Sequence, residues 1–107
     1  MIVTVFRSRL RDGLSDEDRA RYLTEAQALV ERARAQPGFA GIKAYTSDDG
    51  ERLTLVRFET EEAQRAWARE PHHQTAQKNG RDTYYGWYHI GVYHEGREYD
   101  WTFEPDE

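Results

Sequence analysis

Three residues that could do chemistry together fall within one stretch of the chain. Trp67, His73 and Gln77 belong to a helical pattern that runs from Ala63 to Gly80. Ala63 and Trp67, with His73 or Gln77, can share its inward stripe, because residues three or four apart on a helix stack on one face. An imidazole is the side chain whose ordinary pKa lies nearest neutrality, so His73 is a candidate base or proton shuttle. An amide one turn further on can hold an anion or a carbonyl. A lone inward Trp is most simply a core residue. A core does not need an imidazole and an amide beside it, however, and buried polar groups cost free energy unless they are paired. The stripe therefore reads as the wall of a pocket. Pro71 is the weak joint: a proline interrupts a helix, and it could turn His73 outward and His72 in.

Other chemistries are excluded by residue type. Cysteine is absent, so disulfides, thiolate nucleophiles and cysteine-based metal or cluster sites are ruled out. His72 and His73 are adjacent and point apart, and His89 and His94 fall on opposite faces of a strand, so no metal site is expected. No phosphate loop, dinucleotide fingerprint or hydrolase elbow occurs. With 15 basic and 20 acidic residues the chain carries a net charge of −5. Nucleic-acid partners usually require a basic face, and an anionic membrane surface is disfavoured for the same reason. No run approaches transmembrane length, and the short apolar start, closed by Arg7 and Arg9, lacks a signal-peptide pattern. A reducing cytoplasm is the default expectation.

The elements that must position the pocket read as one domain over 1–95 with a tail over 96–107. Residues 2–10 form a first strand. Ser15-Asp16-Glu17-Asp18 caps a long helix that Pro37-Gly38 ends. Phe39–Tyr45 and Leu53–Phe58 form a hairpin around the turn Ser47-Asp48-Asp49-Gly50. Thr60 caps the second helix, Pro71 interrupts it and can restart it as a first-turn residue, and Gly80 closes it. Residues 83–94 form an aromatic fourth strand. This βαββαβ order predicts an α+β, ferredoxin-like fold: a four-stranded antiparallel sheet with two helices on one face. The first strand carries Ile2 and Phe6 on one face and Val3 and Val5 on the other; the third carries Val56 and Phe58 against Leu53 and Leu55. Both faces look buried, yet two helices cover only one. A second copy packed sheet to sheet is the economical cover. In the tail, Tyr99, Trp101 and Phe103 alternate and are expected to pack on the barrel or across the dimer.

The first strand ending in Arg7 and Arg9, the Pro37-Gly38-Phe39 turn, the Phe58-Glu59-Thr60 junction, Trp67, His73, Gln77, the Gly80-Arg81 pair and the aromatic last strand together resemble the antibiotic biosynthesis monooxygenase family. The likeness covers roughly residues 1–95. It implies a homodimeric α+β barrel with a pocket between sheet and helices, and it implies function only loosely, because one fold hosts many chemistries. Haem-degrading members carry an Asn on the first strand, the Trp, and a His where this chain has Gln77; here Ser8 or a neighbour takes the Asn place, and the iron ligand is missing. Aromatic polyketide oxygenases carry the same Trp and a Tyr where this chain has His73. The resulting expectation is a cofactor-independent monooxygenase that acts with O2 on a small aromatic, polyketide-like substrate. His73 would be the base, Gln77 and Arg81 would stabilise the anion, and Trp67 would form the wall. Phe39, Tyr22, Tyr84, Trp87 and His72 are expected around the substrate. The alternatives are a haem-binding or haem-degrading monooxygenase, and a non-oxidative binding protein, isomerase or cyclase on the same fold.

Overall fold

The computed structural model describes residues 1–105. The chain folds as β1 (Ile2–Leu10), α1 (Asp16–Arg34), β2 (Phe39–Thr46), β3 (Arg52–Phe58), α2 (Glu61–Ala68), α3 (Pro71–Asn79), a π-helical turn (Gly80–Tyr84) and β4 (Tyr85–His94). The strands form one antiparallel sheet in the order β2-β3-β1-β4. This is the α+β, ferredoxin-like fold that the element order predicts.

The helix ends follow capping chemistry. The Ser15 hydroxyl accepts the Asp18 N–H at 3.0 Å, and Thr60 accepts that of Ala63 at 3.1 Å. Each satisfies a donor that the first helical turn leaves free. At Gly38 the chain turns with φ +78°, in the left-handed region that favours glycine. A Cβ there would also sit 2.7 Å from the Ala63 Cβ, so the turn and the start of α2 need the same bare residue.

Cross-strand pairing fixes which side chains share a face. Ile2, Phe6 and Ser8 stand opposite Phe58, Thr54 and Arg52, respectively. These residues face the helices. Ala33, Val56, Phe58 and Trp67 form the buried centre there, with Leu29, Phe39, Ile42 and Ala63 against it. The other face carries Val3, Val5, Leu53, Leu55, Tyr45 and Tyr93, and no helix of the chain covers it. An Arg7–Glu51 pair lies on the same side, bidentate at 2.9 and 3.0 Å, with the Arg7 guanidinium 5.2 Å from the Trp87 ring.

Two expectations need correction. Gly80 does not close the helix. Its backbone stays helical (φ −59°, ψ −48°), and the winding widens into a π turn up to Tyr84, so β4 begins at Tyr85 rather than at 83. A wide turn leaves carbonyls without helical partners. Arg11 takes them up: its guanidinium donates to the carbonyls of Arg81, Asp82 and Tyr85 at 2.5, 3.0 and 3.0 Å, and its backbone N–H donates to that of Tyr84 at 2.8 Å. Gly80 is bare because any Cβ would collide with the Tyr85 ring.

The tail is the second correction. Tyr99, Trp101 and Phe103 are 86%, 79% and 68% exposed and do not pack on their own subunit. Arg57 draws the chain the other way. It stands opposite Val3 on the uncovered face and binds Glu95 at 2.9 Å and Glu98 at 3.7 Å, which ties the start of the tail to that side of the sheet and not to the helix side.

Candidate functional site

A cavity of about 340 Å³ lies between the sheet and the helices. Its geometry starts at Pro71. A residue before proline is pushed out of the helical region, and Glu70 accordingly has φ −62° and ψ 129°. Helix α2 therefore stops at Ala68, Glu70 caps α3, and Pro71 occupies the first turn, where its missing N–H costs nothing. On one unbroken helix, six residues would put His73 about 240° around the axis from Trp67. The break brings the two together instead. Their rings stack at 4.3 Å with planes 10° apart. The expectation of a single continuous stripe is thus replaced by two short helices that meet at the Trp67–His73 stack.

Hydrogen bonds fix the imidazole. His73 Nδ1 lies 2.9 Å from the Trp67 carbonyl. A carbonyl only accepts, so Nδ1 carries the proton and donates, and Nε2 of the neutral ring keeps its lone pair. The His73 backbone N–H donates to Glu70 Oε2 at 2.9 Å. Burial lowers the His73 pKa from its ordinary value, against the upward pull of the Trp67 carbonyl and the Glu70 carboxylate. Burial would by itself raise the Glu70 carboxyl, but the His72 ring and the backbone N–H groups of His72 and His73 together hold it down at about 2. Glu70 is therefore ionised at neutral pH and keeps the start of α3 capped.

Five of the nine expected site residues line this cavity: Trp67, His73, Gln77, Tyr22 and Tyr84. The other four lie outside it. His72 is exposed and turned to Glu70, with its Nδ1 2.9 Å from Oε1. Phe39 packs edge-on against Phe58, 6.0 Å between ring centres, within the core beside the cavity. Trp87 stands opposite Arg9 on the uncovered face, under the Arg7 guanidinium. Arg81 is exposed, with its guanidinium 3.5 Å from the Tyr88 hydroxyl, because the π turn carries it past the cavity mouth.

Tyr85 and Arg52 also line the cavity, although neither is among the nine expected site residues. Neighbours on a strand point to opposite faces, yet Tyr84 and Tyr85 both reach the cavity, because Tyr84 still belongs to the π turn and the β1–β4 register shifts at Arg9/Leu10. The Tyr85 hydroxyl lies 3.5 Å from that of Tyr22. Burial, then the Tyr22 hydroxyl, raises the Tyr85 phenol well above its ordinary range, so it remains a neutral donor. Burial and the Glu25 carboxylate raise Tyr84 in the same direction. Among the described residues, no group of three or more acidic or imidazole side chains is placed to hold a metal, and no helix is long and apolar enough to cross a membrane.

Comparison with known proteins agrees with the fold. Residues 1–79 match the family model for antibiotic biosynthesis monooxygenase. An uncharacterised Bacillus subtilis protein, YqjZ, is 29% identical over 79 residues, which is 74% of this chain and 69% of the relative. Among solved structures, Rv0793 from Mycobacterium tuberculosis superposes with a TM-score of 0.77 at 18% identity, covering 92% of this chain and 98% of that one. SnoaB from Streptomyces nogalater, a cofactor-independent oxygenase, superposes with a TM-score of 0.72 at 13% identity, covering 91% and 94%.

The half-buried imidazole makes stability depend on pH. Its folded pKa lies below the unfolded value of about 6.5. Between the two, the unfolded chain binds more protons, so stability rises with pH. Its share is complete above pH ~6.5 and is lost as pH falls through the folded value. Urea midpoints measured from pH ~7.5 to ~5 should fall with acidification, and His73→Gln should flatten that fall. Equal slopes for the two proteins would contradict this placement of the ring. Fold, match and cavity lead to one statement of kinship: this chain belongs to the antibiotic biosynthesis monooxygenase family.

Proposed function

We propose that the chain is an oxygenase that acts with molecular oxygen on a small, electron-rich hydroxylated aromatic of the polyketide type, without a bound cofactor. The observation that carries this reading is the His73 imidazole in the wall of an apolar cavity, stacked on Trp67 with Nδ1 2.9 Å from the Trp67 carbonyl, an arrangement that leaves Nε2 to act as the base. A cofactor-free oxygenase needs little more from its protein. A base takes a proton from the substrate, and the resulting anion is rich enough in electrons to pass one to O2. Recombination at carbon gives a hydroperoxide, which breaks down to a carbonyl. For a ring CH2 group, one oxygen atom remains in the product, and the other leaves as water with the two hydrogens.

Each side chain has a limited task. His73 Nε2 accepts the proton. Trp67 and Phe6 form flat walls that keep water from the anion. Gln77, one turn beyond His73 on α3, donates to the developing oxyanion. Arg81 has no part in this scheme. The likeness in fold to SnoaB, a cofactor-independent oxygenase, supports the reaction class.

Oxygen consumption with anthrone as substrate tests the reading. Uptake should proceed without added flavin, haem or metal, and His73→Ala should lower the rate by about 10²-fold, the scale of a lost general base. Free imidazole should restore part of that loss. Uptake that requires flavin or haem removes the cofactor-free mechanism, and an undiminished His73→Ala enzyme removes the base.

We further propose that two copies pair through the uncovered sheet face. Val3, Val5, Leu53 and Leu55 give that face the apolar character of an interface, and leaving it wet would cost about 25 cal/mol for each Å² of apolar surface. Light scattering at micromolar concentration should report twice the chain mass, and Leu55→Asp should shift the protein towards monomer while leaving it folded. A monomeric wild-type protein would overturn the pairing.

A further inference from the structure

We propose that Arg52 is the anion-recognition residue of the cavity and that the ligand is an aromatic bearing an ionised carboxylate at the end remote from His73. Arg52 occupies an unexpected place. It stands opposite Ser8 on β1 and Thr46 on β2, and it has the same parity as Thr54, Val56 and Phe58, so it projects from the helix-facing side of the sheet. That side is the apolar interior of the fold. An arginine there requires a solvent path or an anion.

Among the described residues, its guanidinium has no carboxylate partner. The other charged groups of the cavity wall are engaged. Arg34 is 3.9 Å from Glu31. Glu25 acts on the Tyr84 hydroxyl. The Lys43 ammonium lies 5.4 Å from the Tyr45 ring, and both belong to the opposite face. Arg52 is placed among phenols instead. Its guanidinium lies 6.0 Å from the Tyr22 ring, and its charge opposes the upward shift of Tyr85. The Tyr85 and Tyr22 hydroxyls lie 3.5 Å apart, longer than an ordinary O–H···O bond, so each can turn its proton to a further acceptor. One cation and a phenolic donor, with Glu25 turned to Tyr84 and, among the described residues, no carboxylate paired with the guanidinium, make an anion site.

The spacing sets the shape of the ligand. Along β3, Val56, Thr54 and Arg52 follow one another on the helix-facing side and all line the cavity, with Val56 in the core cluster that holds Trp67. Four residues of strand span about 13 Å. A bicyclic or tricyclic scaffold stacked at the Trp67–His73 end therefore brings a carboxylate within reach of Arg52. The base would face the ring carbon while the guanidinium holds the acid, which fixes the orientation of a flat, otherwise featureless molecule.

The inference rests on the cavity being the ligand site of the proposed oxygenase, but its test does not require turnover. Calorimetric titration under nitrogen would compare 6-hydroxy-2-naphthoate, whose acid and hydroxyl lie at opposite ends of the bicycle, with 2-naphthol, which lacks the carboxylate. The naphthoate should bind the wild-type protein about tenfold more tightly or better, the scale of a charge-assisted hydrogen bond. Arg52→Gln should abolish that margin and leave 2-naphthol binding unchanged, and Arg52→Lys should retain part of it. Melting curves of both variants would show that they fold. Equal affinity of the two ligands for the wild type, equal weakening of both by Arg52→Gln, or no binding of either at millimolar concentration would each overturn the assignment. If the margin is found but oxygen uptake is not, the acid site stands and the oxygenase reading falls.

Discussion

The site depends on one backbone constraint, the extended conformation that Pro71 imposes on Glu70. It divides what would be a single helix into two and turns the second across the end of the first. The stack of His73 on Trp67 follows, as does the contact of Nδ1 with the Trp67 carbonyl, which accepts the Glu70 N–H at 3.1 Å and takes the imidazole as a second donor. Glu70 completes the arrangement by capping α3 through the His73 N–H. A single dipeptide thus sets the position, tautomer and burial of the imidazole, and the lowered pKa follows from the burial.

A second irregular turn supplies the opposite wall. The π turn at Gly80–Tyr84 delays the start of β4, so two consecutive tyrosines reach the cavity. Its loosened carbonyls are held by Arg11, which lies far away in sequence. The helix-to-helix break and the helix-to-strand turn therefore face each other across the inner surface of the sheet, and the regular elements between them act chiefly as the frame. This division is a common one: repeated structure provides rigidity, and the irregular segments carry the functional side chains.

The frame was legible in the sequence for simple reasons. Strand alternation, capping residues at Ser15 and Thr60, and the turn at Ser47–Gly50 are local signals, and the local signals agree with the fold. The site was only partly legible. Trp67, His73 and Gln77 were found because an imidazole and an amide on an apolar stripe are out of place. Tyr22 and Tyr84 were found as aromatics of the right elements. Phe39, Trp87, His72 and Arg81 were assigned to the cavity and lie elsewhere, because a side chain's face there depends on register and turn width, which composition does not specify. Arg52 carried a readable signal that went unused: its parity with Val56 and Phe58 already set a charge on the inner face. Tyr85 had no such signal, since the π turn and the register shift at Arg9/Leu10 arise from long-range contacts.

The central claim is that the break at Pro71 leaves Nε2 of a neutral His73 as the free base. Long-range proton–nitrogen correlation spectra of the histidine-labelled protein at neutral pH observe this directly. The account predicts a neutral His73 ring with the proton on Nδ1 and an unprotonated Nε2, and it predicts that Pro71→Ala disturbs this pattern. A ring protonated on Nε2, or an imidazolium at neutral pH, would contradict it.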